Sequence, residues 1–151
     1  MLDKIHLTVE GGRGGNGCES FYHRKDHKLV ANGGDGGDGG NVIFRASHNA
    51  PGLDRLKLKQ HLIAESGEHA SSENKSGRSG EDLIVLVPLG TSLLNRESHL
   101  TVRDLCHEGE EVIVARGGQG GVGNIGGKQA TYGKEGEKLE IDVEFRIMAD
   151  V

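Results

Sequence analysis

Near the N-terminus Ile5, Leu7 and Val9 alternate with His6 and Thr8, and near the C-terminus Leu139, Ile141, Val143, Phe145 and Ile147 alternate with Glu140, Asp142, Glu144 and Arg146. A two-residue period sends one set of side chains to a core and the other to solvent, so both stretches predict half-buried strands. Between them Val42–Ala46, Leu83–Val87, Leu100–Leu105 and Val112–Ala115 are short apolar runs bounded by Gly, Asn, Asp or Pro. Leu53–Ile63 fits either element: Leu56 and Leu58 alternate with Lys57 and Lys59, while Leu53, Leu56 and Lys57 also share one helical turn. Many short strands with frequent turn punctuation predict an all-β sandwich or barrel, with no helix of ten or more residues.

Three glycine runs interrupt this pattern: Gly11–Gly17 (GGRGGNG), Gly33–Gly40 (GGDGGDGG) and Gly117–Gly127 (GGQGGVGNIGG). They hold 18 of the 26 glycines in a Gly-Gly-X unit. Polyproline II has three residues per turn and no internal hydrogen bonds. On such a helix every X falls on one edge and two edges are bare backbone, which neighbouring helices can approach closely. Arg13, Asn16, Asp35, Asp38, Gln119 and Val122 are then the outward side chains, and Gly12, Gly15, Gly34, Gly37, Gly40, Gly118 and Gly121 are structural positions. The same composition also describes a flexible linker. Ordering each glycine costs about 0.5–1 kcal/mol more than ordering alanine. Over the runs this approaches the net stability of a whole domain, about 5–15 kcal/mol. The runs are therefore either disordered or packed cooperatively on one another; their shared period and their positions beside strands favour packing.

The chain has 151 residues, room for one domain or one domain with an unusual subdomain. Its apolar fraction is 34%, thin enough that backbone hydrogen bonding must carry part of the fold. A formal charge of −5 argues against a polybasic nucleic-acid binder, so any RNA contact has to be local. Cys18 and Cys106 are too few for a disulfide framework and suit a reducing compartment. No apolar run reaches the length of a membrane span, and the N-terminus resembles neither a signal nor a transit peptide.

Each glycine run contains a G-x-G-x-x-G match, but none opens a helix, as dinucleotide binding requires. Gly127-Lys128 and Gly133-Lys134 lack both the glycine five residues upstream and the following Ser or Thr of a P-loop. His23 and His27 sit among Arg24, Lys25 and Lys28, which repel a cation, and no metal site is expected there. No carboxylate pair or nucleophile set stands above background, so neither an enzyme site nor a small-molecule substrate is expected in this chain.

Three polar stretches remain. Phe21–Asn32 carries Arg24, Lys25, Lys28 and the ring of Tyr22; Glu65–Asp82 reads as a long loop with Lys75 and Arg78; Ile125–Lys138 carries Lys128, Tyr132 and Lys134. On one side of a barrel, these cations would form a local probe for structured RNA, with tyrosine stacking on unpaired bases.

The ordered series GGRGGNG, GGDGGDGG, VPLGT at Val87–Thr91, ARGGQGGVGN at Ala115–Asn124, and the ending MADV resembles the N-terminal domain of the Obg/CgtA family of ribosome-associated GTPases. The segment GEHASSENKSGRSGED resembles that family's second loop. The resemblance implies the Obg fold: a glycine-rich bundle of left-handed type II (polyproline II-like) helices on an eight-stranded β-barrel or sandwich. It implies residues 1–151 as a single Obg domain, followed in the full-length protein by a GTPase domain that uses GTP and Mg2+. It further implies docking on the large ribosomal subunit near the peptidyl-transferase region, in subunit assembly and in the cytoplasm. By position, Arg24, Lys25 and Lys28 match the first loop's basic cluster, Lys75 and Arg78 the second, and Lys128 and Lys134 lie in the third. Two departures stand out: Leu29–Asn32 replaces the family's Pro-Lys-Gly-Gly-Pro stretch, and the third loop is short and poor in arginine. They leave a mitochondrial or plastid protein open as an alternative.

The rival readings are a glycine-helix structural or binding module without a ribosomal role and a carbohydrate-binding jelly roll. Charged Arg13, Asp35 and Asp38 disfavour the flat face that an ice-binding scaffold needs. Five aromatic residues in all disfavour the jelly roll.

Overall fold

A computed structural model of the chain describes residues 2–146. Ile147 and the Met-Ala-Asp-Val ending lie outside the described residues. The described part is nearly all β. Strands β1 (Leu2–Glu10), β5 (His61–Ile63), β7 (Thr91–Asn95), β8 (Thr101–Leu105) and β10 (Lys138–Arg146) form one sheet in the order β5-β1-β10-β7-β8. A second sheet has the order β6-β4-β9, from Leu83–Val87, Val42–Ala46 and Glu111–Ala115. A separate hairpin joins β2 (Phe21–His23) to β3 (Leu29–Ala31).

The alternating termini pair with each other. β1 and β10 run antiparallel with Ile5 opposite Val143, Leu7 opposite Ile141 and Val9 opposite Leu139. β7 extends the sheet with Leu93 opposite Val143. In the second sheet Phe44 lies opposite Val85 of parallel β6 and Val112 of antiparallel β9. The inward residues of both sheets make one hydrophobic cluster containing Leu7, Val9, Phe44, Val87, Leu93, Leu105, Ile141 and Val143. These eight strands on one core are the sandwich.

Leu53–Ile63 resolves into both of its options, a single helical turn α1 (Asp54–Leu58) followed by β5. The turn packs Leu53 into the core while Leu58 stays in solvent. Strand β7 has no counterpart among the predicted elements. Its adjacent Leu93 and Leu94 hide the alternation, and its first residue, Thr91, is buried, donating its hydroxyl to the Pro88 carbonyl at 2.6 Å.

The glycine runs leave the sandwich as extended legs. The three central legs are joined by a closed circuit of hydrogen bonds. Gly12 N–H donates to the Gly40 carbonyl, Gly39 N–H to Gly118, and Gly118 N–H back to Gly12, at 2.8, 2.9 and 2.9 Å. Three residues further out the circuit repeats: Gly15 to Gly37, Gly36 to Gly121, and Gly121 to Gly15, each at 2.8 Å. Backbone bonds from the legs go to other legs rather than along the same one, as period-three extended helices require.

Glu65–Asp82 is not a loop. Residues 64–71 and 75–82 are two further legs: Gly40 and Gly37 N–H donate to Glu65 and Glu68 carbonyls, and Gly77 and Gly80 N–H donate to Asp35 and Asp38 carbonyls. Residues 131–137 form a sixth leg, receiving Gly14 N–H on Lys134 and Gly17 N–H on Thr131. Two of the three polar stretches thus shrink to short turns.

The glycines are required by distance. A Cβ on Gly36 would overlap the Gly15 carbonyl, and one on Gly37 the Arg78 carbonyl. Gly12, Gly15, Gly34, Gly40, Gly118 and Gly121 likewise face carbonyls of adjoining legs. Among the described residues, the glycines with positive φ are Gly90, Gly109, Gly126 and Gly127, where a Cβ would meet open space.

Candidate nucleic-acid interface at the distal tips

Each X position of the central legs faces outward, and four polar side chains next to or between glycines turn back to bind an N–H that no carbonyl takes. Asp35 Oδ1 accepts from Gly123 at 2.7 Å, Asp38 Oδ1 from Gly120 at 2.8 Å, Asn16 Oδ1 from Gly133 at 3.0 Å and Asn41 Oδ1 from Gly117 at 2.8 Å. These groups stitch neighbouring legs together from outside.

The chain order puts every return of the bundle at one end. Legs leave the sandwich after Glu10, Ile63 and Ala115 and come back at Asn41, Asp82 and Glu137. The intervening turns, residues 19–32, 72–74 and 125–130, therefore share the end remote from the sandwich. Two buried amides hold them there. Asn124 accepts Gly33 N–H on Oδ1 at 2.8 Å and donates Nδ2 to the Ser20 carbonyl at 3.0 Å. Asn32 accepts the Ser20 hydroxyl at 2.5 Å, and its carbonyl accepts Asn74 N–H at 2.8 Å. The hairpin base, the 72–74 turn and the end of the third run are thereby tied into one unit.

Arg24, Lys25 and Lys28 occupy the hairpin turn, which closes through Arg24 N–H to the Lys28 carbonyl at 2.9 Å, with His27 at φ 65°. Arg24 pairs with Asp26 at 2.7 Å. That guanidinium, followed by Lys28 N–H, holds the Asp26 carboxyl below the usual carboxylate range. Lys75 follows the second turn, where Glu73 and Asn74 have φ of 62° and 60°. Lys128 is exposed on the third turn, whose Gly126 and Gly127 have φ of 85° and 83°. Lys25, Lys28, Lys75 and Lys128 have no ion-pair partner among the described residues.

Arg78 and Lys134 are not at the tips. Both lie on outer legs closer to the sandwich, and Arg78 pairs with Glu68 at 3.0 Å, keeping that carboxyl below its usual range. Sequence reasoning missed the mounting residues Asn32 and Asn124. The available signal was an amide where the regular Gly-Gly-X spacing starts or stops, Asn32 just before Gly33 and Asn124 just after Gly123, where the bundle must finish its hydrogen bonding.

Residues 19–32, 72–75 and 125–130 carry five Lys or Arg and three Asp or Glu on a chain whose net charge is −5. A small positive tip stands on an acidic body. Such an arrangement can engage phosphates locally while the remaining surface repels them. Among the described residues, no helix is long and apolar enough to cross a membrane.

The family model described as GTP1/OBG matches residues 2–147. Over 160 aligned positions and the whole of this chain, it is 38% identical to a GTPase Obg of Persephonella marina, 40% to one of a Sulfurihydrogenibium species and 35% to one of Rickettsia bellii. The alignments cover 47%, 46% and 49% of those proteins, so the chain spans about half the length of the curated relatives it matches.

Proposed function

Because the chain belongs to the GTP1/OBG family, we propose that it is the ribosome-docking domain of an Obg-type GTPase acting in assembly of the large ribosomal subunit, where its tips bind ribosomal RNA near the peptidyl-transferase region. The observation that carries this reading is the gathering of three turns at one end of a hydrogen-bonded mount, with Lys25, Lys28, Lys75 and Lys128 free to meet phosphate. Arg24 orders the hairpin through Asp26 and also adds charge. Arg78, already paired with Glu68, and Lys134 serve only as secondary contacts for a single strand that continues past the tip. The bacterial relatives support a cytoplasmic setting.

GTP and Mg2+ fit the rest of the longer protein rather than this chain. Neither Gly-Lys pair has P-loop spacing, and the relatives named GTPase Obg are about twice the length of this chain. Hydrolysis is assigned to a domain following residue 151, with this domain setting where on the ribosome it occurs. The lysines gathered at the turns without an ion-pair partner among the described residues weigh against a purely structural glycine-helix module.

Replacing Arg24, Lys25 and Lys28 together with Glu is expected to abolish cosedimentation with large subunits at moderate salt while circular dichroism stays unchanged. Undiminished cosedimentation of the folded triple variant would refute the assignment.

A further inference from the structure

Five aromatic residues serve the entire chain, and three of them stand in solvent at or beside the tips. Phe21 is 56% exposed, Tyr22 46% and Tyr132 80%, whereas Phe44 of the sandwich is fully buried. Keeping large rings in water forgoes hydrophobic stabilisation that the thin core could use. Leu58 and Leu100 of the sandwich end are as exposed, but these three are aromatic, and they gather at the end that carries the free lysines.

The surface around the rings is concave. Phe21 and Tyr22 of the hairpin, Asn32 beneath it, and Ser72, Glu73 and Asn74 of the neighbouring turn line an open cleft of about 510 Å³. Tyr22 also borders a second hollow over His23–Asp26, of about 530 Å³. The floor is fixed, because Asn32 holds both walls, through Ser20 on one side and Asn74 N–H on the other. Two aromatic residues, two asparagines, a serine and a glutamate thus border one space, with Lys25 and Lys28 elsewhere on the hairpin and Lys75 just after the neighbouring turn.

We propose that this cleft is a seat for a single unpaired base of RNA, stacked on one of the two hairpin rings that border it, Tyr22 or Phe21, edge-bonded by the Asn74, Ser72 and Glu73 groups, and held by its flanking phosphates on Lys25, Lys28 and Lys75. The inference rests on the RNA-docking reading and sharpens it from a charged contact to recognition of splayed-out nucleotides. Two features select this occupant. A base presents a π-face and hydrogen-bonding edges to rings and amides, and its phosphates match the local cations. A long duplex lying along the bundle would instead bring phosphates against the exposed flank acids Asp35, Asp38, Glu65, Glu81 and Asp82. Only nucleotides that reach the tip singly escape that repulsion.

The test compares binding of this chain to a single-stranded RNA oligonucleotide carrying one 2-aminopurine and to the same strand annealed to its complement, across a salt series. The single strand is expected to bind at least about tenfold more tightly, with 2-aminopurine fluorescence quenched on binding. Tyr22→Leu with Phe21→Leu is expected to remove that preference and the quenching without changing the salt slope, while Tyr22→Phe retains both. Lys25→Gln with Lys28→Gln is expected to weaken both RNAs and flatten the slope. Circular dichroism confirms that each variant is folded; Tyr22→Ser replaces the Leu pair should that pair misfold. Equal binding of both RNAs, or unaltered preference in folded variants lacking the ring, would overturn the base seat while leaving RNA docking intact. Failure to bind either RNA would overturn both.

Discussion

The sandwich and the bundle are built on opposite principles within one chain. Every residue of the buried hydrophobic cluster belongs to the strands, to Leu53, or to Ala64 at the foot of a leg. None comes from residues 11–41, 66–82 or 116–137. The sandwich excludes water with side chains such as Phe44, Leu93 and Ile141; the bundle excludes it by bringing backbones so close that side chains do not fit. A core of side chains can repack around a changed neighbour. A stack of carbonyls and amides has no such slack.

The sharpest break of that contrast is Gly36→Val. Its Cβ would overlap the Gly15 carbonyl in the second hydrogen-bonded layer, so a loss of about 4 kcal/mol or more, or failure to fold, is expected in a denaturant titration. The matched control is Gly52→Ala, where a Cβ meets nothing within 4 Å. It should shift stability by less than about 0.5 kcal/mol. A tolerated Gly36→Val would mean the bundle yields like a side-chain core.

Leu93→Ala removes a fully buried side chain from the sandwich and is expected to cost about 2–5 kcal/mol in the same titration. The comparison sharpens if this variant stays cooperative and merely less stable. A smaller effect is expected from Asp35→Ala, which strips the acceptor from Gly123 N–H and should cost about 1–3 kcal/mol, with Asp35→Asn recovering most of it. If the alanine variant is as stable as the parent, the outward carboxylates do not stitch the legs.

The central legs were legible because two glycines in every three leave two bare edges, and each edge abuts a named neighbour: Gly33, Gly36 and Gly39 face Cys18, Gly15 and Gly12 of the first leg, while Gly34, Gly37 and Gly40 face residues 75–81. The outer legs were not, since they need only one small residue per turn. Ala64, Gly67 and Ala70 occupy that edge in one leg, Gly77 and Gly80 in the next, and Gly133 and Gly136 in the last. Diluted among Ser, Glu and Lys, that spacing reads as a polar loop. Strands β1 and β10 were visible from their alternation, but β7 depended on Leu93 being chosen over Leu94 by tertiary pairing with Val143. For the candidate site, the lysines could be named from charge. The convergence of their turns followed from leg directions that only pairing reveals, and Asn32 and Asn124 matter through partners far away in the chain.

The central claim is that the glycine legs are a cooperative solid rather than tethers for the tips. Native-state hydrogen exchange at the Gly12, Gly15, Gly36, Gly39, Gly118 and Gly121 amides tests it most directly, because these are the donors of the two repeating circuits. The account predicts protection matching that of Leu7 and Val143 in the paired sandwich strands, so that bundle and sandwich open together in global unfolding. Exchange of those six amides at the rate of an unstructured peptide, with the sandwich still protected, would contradict it.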